Sequence, residues 1–152
     1  MVYPADEKFE IGKCKVLRAS AKDRVTVIGA GITVFEALSA HEQLAEEGVA
    51  TRVIDLFSVH PVDAKTLREA AEATAGRIVT VEDHYAHGGI GDSVLAALSD
   101  RKVILRKLAV REVPRSGKQS ELMDRYGISA RHIVAEIKSL LEEDREALLG
   151  AA

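Results

Sequence analysis

Apolar positions along the chain change period repeatedly, from short runs of strand length to stripes at helical spacing, with Gly or Pro at most joints. Lys15 to Arg18 reads as a short polar-flanked strand followed by a turn at Ser20 to Asp23, and Val25 to Ile28 as a buried strand. From Thr33 a helix is predicted in which Thr33 and Glu36 form a capping box. Val34, Ala37, Leu38, His41, Leu44 and Ala45 share its inner face, and Gly48 stops it. Arg52 to Phe57 is the next strand, closed by Pro61, and Asp63 caps a helix with Leu67, Ala70 and Ala71 inward, ending before Gly76. Ile78 to Val81 is a strand whose Gly- and His-rich sequel leads to a helix with Val94, Leu95 and Leu98 inward, and Val103 to Val110 is the last strand. A short helix near Ser120 to Tyr126 stops at Gly127. A final helix, capped by Ser129, carries Ile133, Ile137, Leu140 and Leu141. Residues 142–152 read as a flexible tail, acidic over 142–146.

Strands alternating with helices of roughly 10 to 15 residues require right-handed crossovers, and so a largely parallel sheet with helices on both faces. Its ligand-binding place is the crevice at the carboxyl ends of the strands, where strand order reverses. Gly29-Ala30-Gly31-Ile32 and the run from Glu82 to Gly91 compete for that place.

The chain's 152 residues, 47% apolar and 30% charged, fit one globular domain, and no internal repeat or linker divides it. Nucleic acid is an improbable partner: aromatic residues are 4%, Trp is absent, and the net charge of -3 offers nothing to a phosphate backbone. No apolar run approaches membrane-spanning length and no signal segment is evident. Cys14 is the single cysteine, so no internal disulfide can form and a cytoplasmic location is expected. Lys13 and Lys15 flank it and could lower its pKa, but a small buried side chain is the favoured reading.

Val25 to Gly31, VTVIGAG, opens like a dinucleotide fingerprint, and Asp55 lies 24 residues beyond Gly31. Val34 stands where that fingerprint needs Gly or Ala, so a tight turn is the favoured role and anion binding the lesser one. Glu82, Asp83, His84 and His87, followed by Gly88, Gly89 and Gly91, form the densest set of chemical groups. The glycines can present consecutive N–H groups to an anion, and that anion can be the chain's own: Glu82 or Asp83 folding the loop into a brace is the preferred reading. Zinc on His84, His87 and Glu82 lacks a third strong ligand at a fixed spacing, and acid–base work by the histidines is the other functional reading. Arg115 and Lys118 flank a turn that could hold a phosphate or a partner's carboxylate. No phosphate loop, no G-x-S-x-G elbow and no Gly-Asp-Gly motif is present, since Gly91-Asp92 is followed by Ser93.

The segments VTVIGAG, RVIDLFSVHPVD, GRIVTVEDHYAHGGIGDSV and LAVREVPRSGK, with the later ELMDRYGI, resemble in order the C-terminal domain of transketolase, from about Phe9 to Leu141. The resemblance implies a three-layer α/β/α fold with a five-strand mixed, mostly parallel sheet whose first strand is antiparallel at an edge. The two candidate loops then follow neighbouring strands and should touch. It also implies a part in an enzyme that moves a two-carbon ketol unit between sugar phosphates with thiamine diphosphate and a divalent cation, Mg or Ca. Those cofactors belong to the pyrophosphate- and pyrimidine-binding domains, which are the expected partners in a homodimer. This domain is expected to bind none of them, to carry no catalytic residue and to be inactive alone, with Met1 an expression start or the edge of a fragment. The alternatives are an independent anion- or nucleotide-binding module, and a scaffold domain of a 2-oxoacid dehydrogenase-type thiamine enzyme.

Overall fold

The structure, a computed structural model, describes residues 2–150, with the backbone alone at Leu148. The apolar runs become β1 (Lys15–Arg18), β2 (Val25–Gly29), β3 (Thr51–Asp55), β4 (Arg77–Tyr85) and β5 (Ile104–Val110). The helical stripes become α1 (Thr33–Glu46), α2 (Ala64–Ala73), α3 (Ile90–Ala97), α4 (Gln119–Arg125) and α5 (Ala130–Gly150). The strands form one sheet in the order β1-β3-β2-β4-β5. β1 is antiparallel to β3 at the edge and the other pairings are parallel.

Central strands read as unbroken apolar runs because both faces of the sheet are covered. Val27, Val53 and Val79 face one core, shared with Ala37, Ala40 and Leu44 of α1 and Ile133, Ile137 and Leu140 of α5. Their sequence neighbours Ile28, Ile54 and Ile78 face the other, with Leu67 of α2, Val94 of α3 and Leu98 just after it. The three layers are therefore α1, α4 and α5, then the sheet, then α2 and α3. Because β3 and β4 lie on opposite sides of β2 and β4 follows β3 in sequence, the strand order reverses between β2 and β4.

Several local expectations fail for identifiable reasons. Thr33 and Glu36 form no capping box, because each is taken by a more distant partner. Thr33 Oγ1 accepts from Ala30 N at 3.1 Å and lies 2.8 Å from Val81 O, to which it can donate. Glu36 Oε2 accepts from Ala130 N at 2.7 Å, so α1 caps the first turn of α5 across 94 residues of sequence. Ser129, expected as that cap, instead places Oγ against His132 Nδ1 at 2.8 Å and Asp124 Oδ1 at 3.1 Å. Leu95 is exposed because Ile90, Val94 and Leu98 already fill the inner face of a helix only two turns long, and Ala45 is exposed as well. β4 runs on through Glu82 to Tyr85, beyond the expected end at Val81. Helix α5 continues through 142–150, where Asp144 meets Arg77 at 2.9 Å and Glu143 meets Arg106, while Met1, Ala151 and Ala152 lie outside the described residues. Asp63 does cap α2, accepting from Thr66 N at 3.1 Å.

Cys14 packs partly into the second core, and burial, with the Asp63 carboxylate beside it, pushes its thiol up to about 12. The flanking lysines do not reverse this, since Lys15 is turned to Glu7 and to the rings of Tyr3 and Phe9.

Replacing Glu36 by Ala is expected to cost about 1 kcal/mol, as removal of a helix cap does. Hydrogen exchange should speed up at the Ala130 amide and stay unchanged at the amides of the first turn of α1. The reverse pattern would show that Glu36 caps its own helix.

Candidate functional site

Strand β4 delivers Glu82 to the carboxyl edge of the sheet, directly beside β2, where Gly29 is in register with Val81. The Thr33 to Val81 hydrogen bond joins the residue after the first candidate loop to the residue before the second. Glu82 is 3% exposed, and its carboxylate turns back under the following loop. Oε2 accepts from Ile90 N at 2.7 Å and Oε1 from Gly91 N at 3.2 Å, at the N-terminus of α3. Gly89 makes this possible: a Cβ there would overlap the Glu82 carboxyl group. Gly91 is similarly close to the Lys107 side chain and the Thr80 hydroxyl.

A second carboxylate fastens the outer part of the loop. Asp92 Oδ2 accepts from Gly88 N at 2.7 Å, where Gly88 has φ +78°, and Oδ1 accepts from Lys107 Nζ at 2.6 Å. Lys107 also donates to Ala86 O at 2.7 Å. The hydrogen bonds from Lys107 and then Gly88 N hold the Asp92 carboxyl below its ordinary range. Neither Lys107 nor Asp92 stood out in the sequence, although a lysine inside the apolar run of β5 was the available signal.

The remaining candidates do not converge on a reacting centre. Asp83, His84 and His87 are exposed, and His84 Nδ1 lies 2.9 Å from Tyr85 O. Among the described residues no group of three or more His, Cys, Asp or Glu side chains is placed to hold a metal ion. Arg115 is exposed beyond β5, fixed through its main chain by donation from its N–H to Tyr126 Oη at 2.7 Å.

The glycine turn after β2 is engaged too. Gly31 has φ +61°, and the Ala30 N–H is taken by Thr33. Asp55, the acid that a dinucleotide fingerprint would aim at a ribose, is 6% exposed and accepts from Tyr3 Oη at 2.7 Å. Its other oxygen is shut from solvent without a partner, and burial pushes its pKa up. A thiamine diphosphate with its cation does not fit these residues. Asp92 is committed to Lys107 and Gly88, Glu82 to Ile90 and Gly91, and among the described residues no metal-binding donor set accompanies them.

Residues 12–133 match the family model described as the transketolase C-terminal domain. The chain is 58% identical to mouse transketolase-like protein 2 over 139 residues, and 46% identical to mouse transketolase over 142 residues. These alignments cover 91% and 93% of this chain but 22% and 23% of those proteins, so the chain spans under a quarter of the length of these relatives. Among solved structures, a split gene transketolase described as an inactive beta4 tetramer superposes with TM-score 0.83 at 36% identity, over 91% of this chain and 44% of that one. A transketolase of Campylobacter jejuni superposes with TM-score 0.65 at 19% identity, a likeness of fold.

Glu82→Ala would leave the Ile90 and Gly91 N–H groups unpaired in a dry site, for a loss of about 3 kcal/mol. That corresponds to a fall of about 10 °C in melting temperature. His84→Ala, at an exposed position, should shift melting by under about 2 °C. Equal melting of the two variants would contradict the geometry.

Acid titration gives a separate check. Because the folded Asp92 carboxyl lies below its unfolded value near 3.8, its contribution to stability is present above that value and is lost as pH falls through the folded pKa. Asp92→Asn should flatten the decline in stability as the pH is lowered below about 3.8, read by denaturant melts at each pH. An unaltered decline would remove Asp92 from the brace.

Proposed function

Since this chain belongs to the transketolase C-terminal domain family, we propose that it serves as the assembly domain of a transketolase-like enzyme. In that enzyme a two-carbon ketol unit moves between sugar phosphates, and this domain contributes packing and contacts in place of catalytic groups. Thiamine diphosphate and its divalent cation are held by the pyrophosphate- and pyrimidine-binding domains, which are its partners in a cytoplasmic homodimer, and this domain binds neither. When bound there, the cofactor supplies the carbanion chemistry of ketol transfer.

One observation carries the reading. The strand-end carboxylate in the position where such a fold places its ligand chemistry is spent on the backbone of its own loop. A general acid or base must be free to reach a substrate proton, and Glu82 is enclosed. The nucleotide-module alternative is weakened by the same accounting, since Ala30 N and Asp55 are already engaged by Thr33 and Tyr3.

The isolated chain, supplied with thiamine diphosphate and magnesium, is expected to show no ketol transfer from xylulose 5-phosphate to ribose 5-phosphate. Mixing it with a separately produced chain carrying the two thiamine-binding domains of the same enzyme should restore transfer. Turnover by the isolated chain would refute the proposal. So would micromolar binding of NAD or ATP in calorimetric titration that Gly89→Ala abolishes.

A further inference from the structure

Strand β5 ends the sheet on one side, and among the described residues no strand lies beyond it. Ile104 N donates to Gly76 O at 2.9 Å, toward β4. Bonding alternates along a parallel ladder, so Leu105, Lys107 and Ala109 turn their N–H and C=O groups to the free edge. Such a row is a template for another strand. Arg111 covers part of it, its Nη2 donating to Lys107 O at 3.1 Å. A groove of about 590 Å³ lies between this edge and the outer face of α5, where His132, Ala135, Glu136 and Ser139 recur at helical spacing. Tyr126, whose Oη accepts from Arg115 N, lines it near the carboxyl end of β5, and Gly127 and Ala135 add little bulk.

This groove is set in a basic part of an acidic chain. Residues 106–131 carry seven Arg and Lys against three Asp and Glu, whereas the whole chain has net charge -3. Some of these cations are occupied: Arg106 by Glu136 and Glu143, Lys107 by Asp92 and Arg131 by Asp124. Arg111 instead holds a neutral carbonyl, and the half-exposed Arg125 meets Glu112 only at 3.8 Å. A carboxylate entering the groove gains guanidinium partners, a stronger bond for Arg111 than the one it makes to Lys107 O. Drawing Arg111 away frees the acceptor that an added strand requires.

We propose that the free edge of β5 receives an extended acidic peptide segment of a partner protein by strand addition. Its main chain pairs with Leu105, Lys107 and Ala109, and its carboxylates meet Arg111 and Arg125. Charge complementarity selects the acidic partner, and the row of main-chain groups selects an extended one. A small free anion uses the arginines alone and leaves that row unpaired.

The test follows fluorescence anisotropy as the chain is titrated into a labelled peptide of alternating Glu and Val. Two controls are the same peptide with Lys for Glu and a copy N-methylated throughout. The acidic peptide is expected to bind with a micromolar dissociation constant and both controls at least tenfold more weakly. Hydrogen exchange at the Lys107 and Ala109 amides should slow when it binds. Arg111→Glu and Arg125→Glu, at exposed positions, are each expected to weaken binding at least tenfold. Arg18→Glu, on β1 at the opposite edge of the sheet, should leave it unchanged. Melting curves establish that the three variants are folded. Absence of binding at millimolar peptide, equal binding of either control, or binding that neither arginine substitution weakens overturns the proposal. Inorganic pyrophosphate that competes for the same arginines as tightly as the peptide assigns the groove to free anions and overturns strand addition.

Discussion

The enclosed carboxylate of Glu82 is the constraint on which the carboxyl edge of this sheet depends. Moving an ionised carboxyl group out of water costs several kcal/mol unless donors replace the lost hydration. Here the donors are the Ile90 and Gly91 N–H groups, at the end of α3 where the helix dipole favours negative charge. One interaction therefore ties β4 to the start of α3 and sets how the glycine run folds between them. It also sets the residue type at position 89, which has no room for a Cβ. Asp92 and Lys107 extend the same arrangement outward and tie the loop to β5.

The order of elements was legible in the sequence because apolar period and punctuation agree along the chain. β2 and β3 alternate Val and Ile between two covered faces, and Asp63 caps α2 as its spacing predicted. What escaped was long-range pairing. Nothing near Glu36 signals that its partner is Ala130, and a local capping box is the economical reading of Thr33 followed three residues later by an acid. The same applies at the switch point. A self-satisfying acid, Glu82 or Asp83, was legible because three glycines downstream offer N–H groups within loop reach, and the structure has Glu82 in that place. Lys107 was not, because its partners Ala86 and Asp92 depend on how β5 lies beside β4. His84 drew attention by its chemistry, yet it stands on the solvent side of β4.

Density of titratable groups at a strand end is thus a weak guide to catalysis when backbone donors lie close by in sequence. The fold puts its polar groups at the position where related α/β sheets bind ligands, and here their hydrogen-bonding capacity is used to hold the loop. The aromatic residues follow a different logic. The three phenylalanines and Tyr3 gather near Asp55 at the end of β3, away from the braced loop that follows β4.

The central claim is that the switch-point loop supports assembly and takes no part in chemistry. The most direct measurement is kcat per assembled complex for a triple variant, Asp83→Asn with His84→Ala and His87→Ala, in the reconstituted enzyme. These three exposed side chains lie in the loop and make none of the hydrogen bonds of the brace. The account predicts a kcat and a pH profile indistinguishable from wild type once the fraction assembled is equalised. A complex that assembles normally but loses a hundredfold or more in kcat would contradict it.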